Sequence, residues 1–208
     1  MKQGICLIAI GVVALLGIYL VTESQKKFDV IEAIEARRSI RAYKDMPVER
    51  EKLQFLAECG VKAPNAMGRE EWELRIVDSK EWIDKCTAAY MKSIEGTDKA
   101  EHMKGPNFKN IFRNASAVIF VGAPDGLFAG ENVGCLGQNV MLAATELGLG
   151  TCFLGSVQMI FQEPAMAEYV QSLGFSEGYN LRYALAVGYP DEEPEAKPRD
   201  LSKIKFVE

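Results

Sequence analysis

Five consecutive residues, Arg37-Arg38-Ser39-Ile40-Arg41, bring three guanidiniums and a hydroxyl into one short stretch. Each guanidinium is a planar fork that meets two oxygens at once, so this composition suits a phosphate. It equally suits a basic run lying against anionic lipid. Near the C-terminus, Lys197-Pro198-Arg199 supplies a second basic group beside a proline that stiffens the chain. A third segment, Ala63-Pro64-Asn65-Ala66-Met67-Gly68 with Trp72 following, is built of small residues that either let backbone approach a flat ligand or simply make a tight turn. The fourth, Gly148-Leu149-Gly150-Thr151-Cys152-Phe153-Leu154-Gly155-Ser156, mimics a dinucleotide fingerprint but has the wrong context. A fingerprint needs strand, glycines, then helix, whereas these glycines follow a helix and enter a strand. Gly148 is expected to end that helix, leaving backbone N–H groups free around Gly155.

Such residues need a frame. The chain has 208 residues, 48% hydrophobic and 25% charged, which predicts one globular domain. A net charge of -5 offers no basic face for nucleic acid. The five cysteines, Cys6, Cys59, Cys86, Cys135 and Cys152, are odd in number and contain no Cys-x-x-Cys, which argues against a disulfide framework and a zinc site. Four sit in apolar stretches and read as small core residues.

Residues 1–27 form a separate unit. The uncharged run from Ile5 to Val21 would be about 25 Å long as a helix at ~1.5 Å per residue, nearly enough to span a bilayer. Thr22-Glu23-Ser24 is a poor cleavage site, so an uncleaved anchor is preferred to a removed signal segment. Lys26-Lys27 outweighs Lys2 and places the following domain, residues 28–208, on the cytoplasmic side.

Within that domain the patterns predict a helix from Asp29 to about Arg37, a helix opened by Pro47, a strand over Trp72 to Val77, and a helix capped by Ser79 that carries Trp82 and Tyr90. Gly96 to Arg113 reads as an irregular lid. The apolar run Ala117 to Ala123 predicts a central strand covered on both faces, followed by the longest helix, from about Glu131 to Leu147. Strands are expected at Thr151 and Arg182, with a helix opening at Pro164 between them. Ile204 and Phe206, alternating with lysines, predict an edge strand. The sum is an α+β fold, a mixed sheet flanked by helices.

Taken in order, the four segments resemble the nitroreductase-like FMN-dependent oxidoreductases from Phe28 to Phe206. In that family an Arg-Arg-Ser-x-Arg signature after the first helix binds FMN, and Arg37, Arg38, Ser39 and Arg41 match it. The resemblance implies that Arg37, Arg38 and Ser39 face the phosphate together with Lys197 and Arg199. It also implies that Arg41 faces the pyrimidine edge of the flavin, where charge gathers on reduction, and that the Leu154-Gly155 backbone binds N5 and O4. The family is an interwoven homodimer, so the Pro64 loop, with Asn65, Ala66 and Gly68, corresponds to the partner's side of the site. Here the loop departs from the family pattern Pro-Ser-Ser-x-Asn-x-Gln-Pro-Trp, since Asn65, Ala66, Gly68, Glu70 and Glu71 replace five of its residues. Losing the asparagine amide at Gly68 removes one hydrogen bond, about 1 kcal/mol net.

The implied activity is ping-pong reduction of a nitroaromatic, quinone or similar planar acceptor by NADH or NADPH. Tyr90, Met103, Phe108 and Phe112 are candidates to line the flavin face, and as isolated residues they also read as core. Two alternatives stay open. A reductive dehalogenase of the same superfamily fits a membrane anchor, but its lid pattern Glu-x-x-x-Tyr is broken by Cys86 four residues before Tyr90. A membrane-tethered flavin relay fits the anchor and the altered loop.

Overall fold

A computed structural model describes residues 29–103, 105 and 108–208. The chain enters through helix α1 (Val30–Ala36), where the Asp29 carboxylate accepts a hydrogen bond from the Glu32 amide at 2.8 Å. Helix α2 (Arg50–Val61) follows, then strand β1 (Glu73–Val77). Helix α3 (Lys80–Ser93) is capped by Ser79, whose hydroxyl accepts from the Trp82 amide at 3.2 Å. Next come α4 (Asp98–Met103), β2 (Ala117–Pro124) and the long α5 (Ala129–Glu146). The chain then forms β3 (Gly150–Leu154), α6 (Val157–Phe161), α7 (Ala167–Leu173) and β4 (Tyr179–Gly188).

The strands order as β1-β2-β4-β3. Because β2 lies between two neighbours and under helices on both sides, its run is apolar throughout rather than alternating. Val118 and Phe120 point into a core with Ile83, Cys86, Tyr90, Phe112, Phe161 and Met166. Ala117, Ile119 and Val121 point the other way, into a second core with Leu53 and Leu56 of α2 and Leu136 and Val140 of α5. The period of two thus survives inside a continuous apolar segment.

Several expectations change. The sheet is antiparallel in all three pairings rather than mixed. Strands β2 and β3 do run in one direction, joined by the crossover helix α5, but β4 inserts between them as antiparallel neighbour to both. A single isolated parallel bridge joins Ser39 to Thr151. Helix α2 starts at Arg50, not Pro47, since Val48 is buried and holds the approach extended. The stretch Gly96 to Arg113 contains α4, whose Ala100 is fully buried, and Phe112 is a core residue rather than a lid residue. Helix α6 was unheralded by any cap or periodic stripe. Ile204 and Phe206 belong to no strand, and Phe206 is 97% exposed. Cys86 and Cys152 are buried as expected, but Cys135 is exposed on α5. The apolar run 5–21 lies outside the described residues, and among these no helix is long and apolar enough to cross a membrane.

Candidate functional site

The Arg37–Arg41 segment leaves α1 and runs along the free edge of β3. Ile40 donates its amide to the Thr151 carbonyl at 2.8 Å, and its side chain lies directly over Gly150. A Cβ on residue 150 would sit 2.8 to 2.9 Å from Ile40 Cγ1, Cβ and Cγ2, so the segment can dock this closely only against glycine. The expected break in α5 is present beside it, with Gly148 at φ +68° turning the chain into β3.

A second segment closes on the first. Tyr43 pairs with Pro190 in an isolated antiparallel bridge, Lys44 donates to the Tyr189 carbonyl at 2.9 Å, and Asp191 donates to the Ala42 carbonyl at 3.0 Å. Glu192 then accepts from two consecutive amides, Arg41 N and Ala42 N. This zip delivers the C-terminal arm to the cation segment. Arg37, Arg38, Ser39 and Arg41 line one cavity of about 390 Å³ with Lys197 and Arg199. Residues far apart in sequence are therefore brought together, the Glu192 carboxylate reaching the Arg41 amide across 151 positions.

The cavity's cations are available. Among the described residues none of Arg37, Arg38, Arg41, Lys197 and Arg199 has a carboxylate ion-pair partner; the acids of the arm contribute Glu195 to the rim, while Glu192 is engaged by backbone. Arg38 donates through Nη1 to the Glu35 and Arg37 carbonyls, yet its buried Nε has no partner. Arg41 donates through Nη1 to the Ser39 carbonyl at 3.0 Å. An unpartnered buried donor inside a cluster of cations without carboxylate partners fits an anionic acceptor. A phosphate monoester fits this donor set.

Arg41 also borders a second cavity of about 520 Å³, lined by Tyr90, Met103, Phe108, Ile111, Arg113 and Ser156 among others. It adjoins the turn after β3, where Leu154 is buried and Gly155 exposed. Of the four candidates for the flavin face, Tyr90, Met103 and Phe108 line this space, while Phe112 takes the core alternative, stacked on Trp82 and edge-to-face with Phe120. Burial pushes the nearby Cys152 thiol up, opposed by the charges of Arg41 and Arg113 and reinforced by Glu192. Arg113 and Asn114 were missed at the sequence level. Their signal was present only in the Asn-rich turn itself, since both adopt positive φ, +60° and +65°.

The Pro64 loop is elsewhere in the chain. Ala66 and Met67 line a separate cavity of about 290 Å³ with Asp125 to Ala129 and Asn132, and it shares no lining residue with the cation cavity. Asn65 has a structural use, its side-chain oxygen accepting from the Glu70 amide at 2.9 Å, and Asn132 fixes the loop by accepting from the Ala66 amide at 2.9 Å. Glu71 pairs with Arg69 at 3.7 Å and lines the loop's own cavity.

The profile of the nitroreductase family matches residues 34–189, and the chain belongs to that family. The NADPH-flavin oxidoreductase of Vibrio harveyi is 26% identical over 182 residues, covering 82% of this chain and 70% of that one. A nitroreductase from Desulfitobacterium hafniense, solved with bound FMN, is 26% identical with a TM-score of 0.76, over 86% of this chain and 98% of that one. An FMN-bound nitroreductase from Bacteroides fragilis has the same TM-score of 0.76 at 24% identity, over 88% of this chain and all of its own, a likeness of fold.

Proposed function

We propose that this chain is an FMN-dependent oxidoreductase that takes electrons from NADH or NADPH and delivers them to a nitroaromatic, quinone or similar planar acceptor in two successive half-reactions. The observation that carries the reading is the convergence of Arg37, Arg38, Ser39, Lys197 and Arg199 on one cavity with a buried guanidinium nitrogen left unpartnered. The family and its FMN-bound relatives support the choice of ligand.

Arg37, Arg38, Ser39, Lys197 and Arg199 hold the phosphate. Arg41 lines both the cation cavity and the wider one, and by the family resemblance it would hold the pyrimidine edge and stabilise negative charge there. The Leu154–Gly155 backbone binds the polar edge of the ring. Bound FMN supplies hydride acceptance from the nucleotide and electron donation to the acceptor. The protein orients both planar substrates over one face and excludes water through Tyr90, Ile111 and Ile160. A homodimer completes each site with the partner's Pro64 to Gly68 loop, which within one chain lies away from the cations. NADH is favoured as donor, since Glu70 would repel the additional phosphate of NADPH where the loop meets the pocket, Glu71 being paired with Arg69.

The deciding experiment is to purify the protein, release its cofactor by denaturation, and identify it. FMN is expected, and anaerobic NADH should bleach the flavin, with a quinone restoring it. FAD, or a protein that takes up no flavin on reconstitution, would refute the reading. Mixed dimers test the shared site. Arg37→Ala and Ala66→Trp homodimers should each bind little flavin, whereas each mixed dimer keeps one intact site of its two, so random assortment on co-expression regains about a quarter of all sites. Ala66 is the better second position because Gly68 has φ +63°, where any side chain adds backbone strain.

A further inference from the structure

The wider cavity has a charge pattern that holding a neutral ring does not require. Tyr90, Phe108, Ile111 and Ile160 give it an apolar floor, Asn110, Asn114 and Ser156 add polar groups, and its rim carries Arg41, Lys99 and Arg113. No aspartate or glutamate is among its described lining residues. Lys99 is loosely paired with Glu163 at 3.8 Å, whereas Arg113 has no ion-pair or hydrogen-bonding side-chain partner among the described residues.

The turn that presents Arg113 is built rather than loose. The Asn114 side-chain oxygen accepts from the amides of Lys109 and Asn110, at 2.7 and 3.0 Å. The Asn110 oxygen accepts from Phe112 N and Asn114 N at 2.9 and 3.0 Å, and its amide donates to the Ala115 carbonyl at 3.1 Å. Phe112 and Ala115 on either side are buried, so the turn cannot shift to relieve residue 113. Arg113 is held at φ +60°, a region where a long side chain is strained and glycine is not. A charged residue at positive φ, without an ion-pair partner among the described residues, on the rim of this cavity motivates a functional reading.

We infer that Arg113 is a specificity residue, and that the acceptor is a flat aromatic bearing a carboxylate, its ring over the apolar floor and its carboxylate on the Arg113 guanidinium. This rests on the function proposed above, because the cavity adjoins the flavin only if Arg41 and Gly155 serve as described there. Arginine suits a carboxylate through paired N–H donors. The same chemistry could serve a nucleotide phosphate instead, and the experiment separates the two.

The FMN-loaded full chain is compared with its Arg113→Met and Arg113→Gly variants. Calorimetry with benzoate and benzamide reads binding directly, and kcat/KM is measured for 4-nitrobenzoate and 4-nitrobenzamide. The wild type should prefer the carboxylate by about tenfold in both assays, a ratio set by one charge-assisted pair, and both variants should lose that preference. Arg113→Gly should also melt at a higher temperature than the wild type, since glycine relieves the positive φ, which separates loss of charge from loss of structure. An unchanged benzoate-to-benzamide ratio in both variants overturns the inference. So does a slower reduction by NADH with benzoate binding unaltered, which would assign Arg113 to the nucleotide. If the wild type takes up no flavin, the function proposed above fails, and the benzoate calorimetry still decides whether Arg113 anchors a carboxylate.

Discussion

Gly150→Ala tests whether the site is held by close packing at one backbone position. The new methyl would stand 2.8 Å from Ile40 Cγ1 and 2.9 Å from both Cβ and Cγ2. Because one of these atoms is the branch point itself, no rotamer of Ile40 removes the clash, and the backbone of residues 39–41 must move. That backbone is pinned by the Ile40–Thr151 hydrogen bond and the Ser39–Thr151 bridge, so the strain reaches the β3 edge. Overpacking of this kind costs about 1–3 kcal/mol. Ile40→Ala alone should cost about 2–5 kcal/mol by leaving a cavity. In the double variant two of the three close contacts disappear, so its loss should be smaller than the sum by about 1 kcal/mol or more.

The same displacement moves Arg37, Arg38, Ser39 and Arg41. Misplacing one hydrogen bond to a charged group removes about 1.5–3 kcal/mol, so FMN affinity should fall roughly tenfold or more in Gly150→Ala. Stability is read by urea unfolding of flavin-stripped protein at fixed concentration, since ligand and subunit association both raise apparent stability. Affinity is read by quenching of flavin fluorescence. Strict additivity of the two substitutions, or a Gly150→Ala protein that binds FMN as tightly as the parent, would refute the argument.

Glu192→Ala should weaken FMN binding about tenfold even though it removes a negative charge near a phosphate, because its carboxylate docks the arm on the Arg41 and Ala42 amides. Tighter binding in that variant would show that the charge matters more than the docking. Glu73→Gln should cost about 1 kcal/mol at neutral pH, the carboxylate accepting from Arg75 at 2.6 Å and from Ser176 N at 3.1 Å. The Ser176 hydrogen bonds and the Arg75 charge hold Glu73 below the usual carboxylate range. Its contribution is therefore full above about pH 5 and lost as pH falls through the depressed value, so parent and variant should converge in acid unfolding. A gap that persists at low pH would remove Glu73 as its source.

The parts of the fold legible in the sequence are those where local chemistry and burial agree. Asp29 and Ser79 cap helices where their side chains predict, and the run at Ala117 is central because nothing polar interrupts it. The sheet's antiparallel pairing was not legible, since the insertion of β4 between β2 and β3 is decided by contacts more than 30 residues apart, such as Gly150 with Gly188. The cation segment was legible by composition. Its union with Lys197 and Arg199 was legible only through family resemblance, because the pairing of Tyr43 with Pro190 that creates it leaves no local pattern. Arg113 was legible only as part of an Asn-rich turn, since its positive φ is imposed by the asparagines around it.

On the proposed assignment, the charge distribution makes the terminal phosphate, rather than the ring, the main source of selection. The chain carries 24 lysines and arginines against 29 aspartates and glutamates, so its far field repels an anion. Beyond about 8 Å that field is screened at physiological ionic strength, and the local cluster decides. In the arm, Glu192 faces backbone amides instead of guanidiniums, which leaves Lys197 and Arg199 free on the cavity wall. Riboflavin offers the same ring and ribityl chain but nothing to match Arg37, Arg38, Lys197 and Arg199, and it leaves the buried Arg38 Nε unsatisfied. Leaving one buried charged donor unpaired costs at least about 1–3 kcal/mol, and losing a phosphate pair to arginine removes a comparable amount again. Riboflavin should therefore bind more weakly than FMN by roughly thirtyfold or more, and raising the salt concentration should narrow the gap by weakening FMN alone. Equal affinities in fluorescence titrations would mean that the cluster serves some other anion, and the assignment of this cavity to the flavin phosphate would fall with them.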